Sequence, residues 1–116
     1  MILDKKDFSP VKYWHINATY PSKNHKMRKN FEEFFSDDLN INHIKSNNWL
    51  IDNVDDLIKK DKELNSNKIL NLINIIKDNK NAFLLMTGKK SPKYIDCDLN
   101  DLTSRLLSSI VLEVRL

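Results

Sequence analysis

Nucleophiles, general bases and soft metal ligands are scarce in this chain. It has three histidines, His15, His25 and His43, and one cysteine, Cys97. The histidines are not spaced as a zinc site is, and one cysteine cannot complete a closed tetrahedral cluster. They read as structural or solvent-facing side chains. Cys97 lies between Asp96 and Asp98, an anionic setting that works against a thiolate nucleophile. The stretch "TGKKS" at 87–91 imitates the tail of a phosphate-binding loop, but Phe83, Leu84 and Leu85 occupy the region where the loop's first glycine belongs. Gly88 is the only glycine, so no dinucleotide fingerprint can form. Carboxylates come in adjacent pairs: Glu32-Glu33, Asp37-Asp38 and Asp55-Asp56. On a helix, neighbours point about 100° apart and do not converge on one substrate. The chain is therefore read as lacking catalytic residues, a cofactor and a metal site, and as not being an enzyme.

The charges suggest binding instead. Net charge is only +3, but it is blocked. Residues 1–31 are net +5, 32–56 net −6, 57–94 net +6 and 95–116 net −2. Such blocks are either solvated helix faces or, for 32–56, a patch that steers a basic partner into place. Lys23, Lys26, Arg28 and Lys29, in the segment 22–30, could contact phosphates. As a helix this segment would spread them round most of its circumference, and the chain holds only three arginines. A nucleic-acid-binding regulator is the alternative reading; its binding would fall steeply with salt.

The elements that must position these groups follow from composition and periodicity. A chain of 116 residues fits one domain, taken as 1–116. It can bury a core without disulfides, and one cysteine favours a reducing compartment. "MILDKKDF" has no signal-peptide h-region, and no apolar run approaches the roughly 20 residues of a membrane span. A cytoplasmic protein without membrane contact is expected. Frequent Lys, Asn and Ile suggest an AT-rich bacterial gene. The near-absence of Gly argues against antiparallel barrels and sandwiches.

Apolar spacing predicts four to five amphipathic helices packed as an all-α bundle. Ser22 would cap a helix with Met27, Phe31, Phe34 and Phe35 on one face. Residues 38–48 read as a loop. Ser46 or Asn47 would open a second helix with Trp49, Leu50, Val54, Leu57 and Ile58 as its stripe, and Ser66 a third over Ile69, Leu72, Ile73 and Ile76. The final helix carries Leu99, Leu102, Leu106, Ile110 and Val114, with Asp98 and Asp101 resembling a cap. Short strands remain open in "VKYWHINATY" near the N-terminus and at 82–87.

One stretch carries a resemblance. "FFSDDLNI" at 34–41 resembles a motif of the small helical immunity proteins of bacterial contact-dependent growth inhibition systems. In that family an aromatic-Phe pair ends a helix and is followed by a polar residue, Gln-Asp, an aromatic, an acid or amide, and an aliphatic. Phe34, Phe35, Asp38, Asn40 and Ile41 match; Asp37 stands for the usual Gln and Leu39 for the usual aromatic. The order of "VDDLIKKD", an aliphatic helix, the Tyr-containing "KYID" and a final apolar helix is also similar, so the likeness covers roughly 30–116.

The resemblance implies an all-α immunity protein that binds a cognate toxin domain, often a nuclease, and covers its active site or substrate-binding surface. Such an interface buries roughly 1,200–2,000 Å². The candidate partner-binding residues are Asp37, Asp38, Asp52, Asp55 and Asp56, with Asp96 and Asp98 next, and Phe35 and Trp49 as anchors; core packing is the favoured alternative for both aromatics. Asp38 is also a candidate to hold its own turn as a helix cap does. Leu112 and Leu116 point away from the final stripe and leave a homodimer open.

Overall fold

A computed structural model of the chain describes residues 12–21, 26–36, 40–79 and 81–109. Along them run β1 (Tyr13–Asn17), β2 (Arg28–Asn30), α1 (Phe31–Ser36), α2 (Ile41–Lys45), β3 (Asn48–Ile51), α3 (Val54–Lys60), α4 (Lys62–Ile76), β4 (Leu84–Met86) and α5 (Asn100–Ser108). A single 3-10 turn, Pro92–Tyr94, lies before α5. The strands make one sheet in the order β2-β1-β3-β4, and every pair in it is parallel. The fold is α/β, not the all-α bundle predicted above.

Left-handed residues are the physical reason for that correction. The stripe from Trp49 to Ile58 has helical spacing, but Asn53 sits at φ 54°, ψ 52° and divides it. Asn48–Ile51 before it pairs with β1 as strand, while Val54 after it starts α3. Thr87 holds the break: its hydroxyl accepts from Asn53 N at 3.0 Å, and Val54 N donates to its carbonyl at 2.8 Å. Likewise Lys26 and Met27 have φ of 64° and 60°. They end the expected helix upstream of Phe31, and Arg28–Asn30 pairs with β1 instead.

Caps set the helix starts. The Asn30 side chain accepts from Glu33 N (3.1 Å) at the head of α1. Asn40 accepts from His43 N (3.1 Å), so α2 forms where a loop was expected. Asp61, not Ser66, caps α4 by accepting from Leu64 N at 3.3 Å, and Ser66 is buried inside that helix. Asp98 does not cap α5: its φ is 51°, and Leu99 is the N-cap without a side-chain bond. Asp37, Asp38, Ile110, Leu112, Val114 and Leu116 lie outside the described residues.

Strand alternation gives the sheet two unlike faces. On the inner face, Ile16, Trp49 and Ile51 are each 0% exposed. They share one core cluster with Phe31 of α1, Ile44 of α2, Ile58 of α3, Leu72 of α4 and Leu102 of α5, so each of the five α-helices among the described residues reaches that cluster. On the outer face lie Tyr13, His15, Asn17, Leu50 and Leu85, none of them buried. Right-handed crossovers place connections that run in opposite directions along a sheet on opposite faces. The β1-to-β2 connection agrees: its Tyr20 sits against His15 on the outer face. Among the described residues no helix is long and apolar enough to cross a membrane.

Candidate site at the carboxyl edge of the sheet

From β1 the chain moves to one side of the sheet, and from β3 to the other. In open parallel sheets, the crevice at the carboxyl ends of two such strands is where ligands bind. Asp52 follows β3 there, its N–H bonded to Ile16 O at 3.3 Å. Continuing the alternation, its side chain joins His15 and Leu50 on the outer face. Thr87, just past β4, donates its hydroxyl to Asp52 Oδ1. His15 Nε2 lies 3.5 Å from Asp52 Oδ2, close enough for a charge contact but short of an aligned hydrogen bond, and that nitrogen is buried. On the ring's other side, His15 Nδ1 is 2.5 Å from the Tyr20 hydroxyl. The result is a polar chain, Tyr20–His15–Asp52–Thr87, across three elements.

The first turn of α3 adds two more carboxylates. Asp55 accepts from Lys89 N (2.7 Å) and Lys90 N (3.1 Å), pinning the loop after β4. Asp56 pairs with Lys89 Nζ at 3.3 Å. Asp52, Asp55 and Asp56, all candidates from the sequence, thus meet at one edge. Asp55 and Asp56 are held by the loop after β4, and Asp52 by the Thr87 hydroxyl and His15. Among the described residues Asp52 contacts no Lys or Arg, and a carboxylate so placed can take a cationic side chain from outside.

The other candidates lie elsewhere. Asp96 and Asp98 share Lys62 Nζ at 2.7 and 3.5 Å, tying the segment before α5 to the start of α4. The hydrogen bond from Lys62 to Asp96 lowers the Asp96 carboxyl below its ordinary range and raises the Lys62 ammonium above its own. Trp49 is fully buried and donates Nε1–H to Ile44 O at 2.8 Å; its indole is core. Phe35 is half-buried, 4.9 Å from both Phe31 and Phe34 between ring centres. Glu32 pairs with Lys60 at 3.0 Å, and that bond holds its carboxyl below the usual range. Part of the charge segregation along the sequence is thus spent inside the fold.

Of the basic segment 22–30, Ser22 and Lys23 lie outside the described residues, and the described part, 26–30, is divided. In β2, Arg28 lies over the Tyr20 ring (5.4 Å) on the outer face, while Lys29 lies over Trp14 (4.6 Å) on the inner. His43 meets the edges of Trp14 and Trp49 at 5.3 and 5.4 Å; burial first, and then Lys29, lowers its pKa from the usual 6.5. Sequence reasoning missed His15, Tyr20, Tyr13 and Leu85. The signal for Tyr13 and His15 was their alternation with Trp14 and Ile16, legible once the segment is read as strand. No spacing rule links Tyr20 to His15 or Thr87 to Asp52. Among the described residues no three His, Cys, Asp or Glu side chains gather to hold a metal. No protein-family model matches the chain, and no curated protein or solved structure shows significant similarity to it.

Proposed function

We propose that this chain is a binding protein without catalysis of its own, which neutralises a basic toxin domain, a nuclease by preference, by covering its active site or substrate-binding surface. The observation that carries this reading is the meeting of Asp52, Asp55 and Asp56 at the carboxyl edge of a parallel sheet, on the rim of its switch point. Phe34, Phe35, Asp38, Asn40 and Ile41 of the "FFSDDLNI" motif lend it support from the sequence. The helical fold that the motif implies is no part of the proposal.

The test is capture on the tagged chain from its native cells, at about 0.15 M and about 1 M salt. A stoichiometric protein that survives the higher salt is expected. Expressed alone, its bound domain should arrest growth, and co-expression of this chain should relieve the arrest. Recovery of nucleic acid that leaves with salt, or of a protein whose toxicity is unaffected, would overturn the reading.

A further inference from the structure

The outer face of the sheet holds a surface that the carboxylate cluster does not explain. Tyr13 and Leu85 are 45% and 44% exposed, and Leu50 between them is half-buried. All-parallel sheets ordinarily have helices over both faces. Here the β2–β1 half of the outer face has a cover, because Tyr20 packs on His15 beneath Arg28 and Asn30 Nδ2 holds the carbonyls of Ala18 and Tyr20. The other half, across β3 and β4 and the start of β1, is the more open.

We propose that this open half docks an amphipathic helix of a protein partner, one that carries Lys or Arg beside its apolar stripe. The inference rests on the binding reading above and names its surface. Dimensions set the occupant: three strands about 4.8 Å apart span about 10 Å, the width of one helix. Charge sets its sign. Asp52 stands at the carboxyl end of this half and contacts no Lys or Arg among the described residues, whereas Lys89 is already held by Asp56.

The test uses the full chain and two helical peptides of about 14 residues, one of Leu and Lys and one of Leu and Glu, with Leu at i, i+3, i+4 and i+7. Amide shifts are followed during titration. Saturable shifts centred on Leu50, Asp52 and Leu85 are expected for the Leu/Lys peptide, with the Leu/Glu peptide binding about tenfold more weakly. Leu85→Asp should weaken the Leu/Lys peptide about tenfold, the scale of an interface anchor, and Asp52→Asn about threefold, the scale of a rim charge. Both positions reach solvent, and circular dichroism checks that the variants fold.

Shifts on another face, equal binding of the two peptides, or indifference to Leu85→Asp would overturn the proposal. So would self-association of the chain that Leu85→Asp abolishes. A captured toxin domain that binds the Leu85→Asp variant normally sinks this inference alone. Peptide binding as expected, with no toxin captured, sinks the toxin reading alone.

Discussion

On the inner face of the sheet, Ile16, Trp49 and Ile51 are wholly out of water; one residue along the same strands, His15, Leu50 and Asp52 are only half-covered, and Tyr13 and Leu85 are open. The two faces share a backbone and differ by a single step in register. Core packing is concentrated on one and the solvent-reaching side chains on the other, so a short strand such as Asn48–Ile51 serves both. Aromatic residues divide the same way. Trp49 anchors the core through a buried hydrogen bond, whereas Tyr13 shows about half its surface.

Substitutions on each face should separate these roles. Trp49→Ala leaves a cavity and removes the indole bond to the Ile44 carbonyl, and should lower the unfolding free energy by about 3–5 kcal/mol in urea titrations. A loss under about 1 kcal/mol would erase the contrast between the faces. Asn30→Ala probes the covered half of the outer face. It removes the cap at Glu33 N and the bonds to Ala18 and Tyr20, and should cost about 1–2 kcal/mol, with faster amide exchange at residues 18–20. An unchanged exchange rate there would show that the turn does not depend on Asn30.

A pH series tests the inner face by charge. Folding favours neutral His43, because burial and Lys29 depress its pKa from 6.5. Its contribution is present above about 6.5 and is lost as the pH falls through the lower folded value. Unfolding titrations between about pH 5 and pH 8 should show stability declining on the acid side, with a shallower decline in Lys29→Met and the His43 part absent in His43→Gln. The same slope in all three proteins would remove His43 as its source. The smallest effect belongs to the open half: Leu85→Ser should change stability by no more than about 0.5 kcal/mol in the same titrations. A larger loss would mean that Leu85 is core rather than surface.

The later helices were the legible part of the fold. Of the stripe Ile69, Leu72, Ile73 and Ile76, all but the half-buried Ile73 are buried, and so are Leu102 and Leu106 of the final stripe. Strands of three to five residues were obscured because apolar residues on either side of a break can keep helical spacing by coincidence, as Trp49 and Val54 do around Asn53. The scarcity of glycine argued against antiparallel barrels and sandwiches, and the sheet is indeed parallel throughout; it said nothing against a parallel sheet. It disfavours hairpins, but parallel crossovers turn through helices. Here Lys26, Met27, Asn53 and Asp98 take the left-handed positions instead.

Of the candidate site, the carboxylates at 52, 55 and 56 were visible as types. Their meeting was not, since it depends on Thr87, Lys89 and Lys90 arriving from β4. Trp49 was chosen as an anchor for its residue type. The alternation that buries it shows only once residues 48–51 are read as strand.

The strand order also dictates a timetable. Tyr13 pairs with Asn48, and Trp49 with Leu84, each about 35 positions further along. Contacts of this reach slow folding because the closure entropy of each loop comes due before any pairing rewards it. At translation speeds of about 5–20 residues per second, Trp14 and Ile16 emerge seconds before β3 can meet them. For that interval the growing chain carries two of its most apolar side chains uncovered, and the order β2-β1-β3-β4 makes β1, first to emerge, the strand that must wait to be enclosed on both sides.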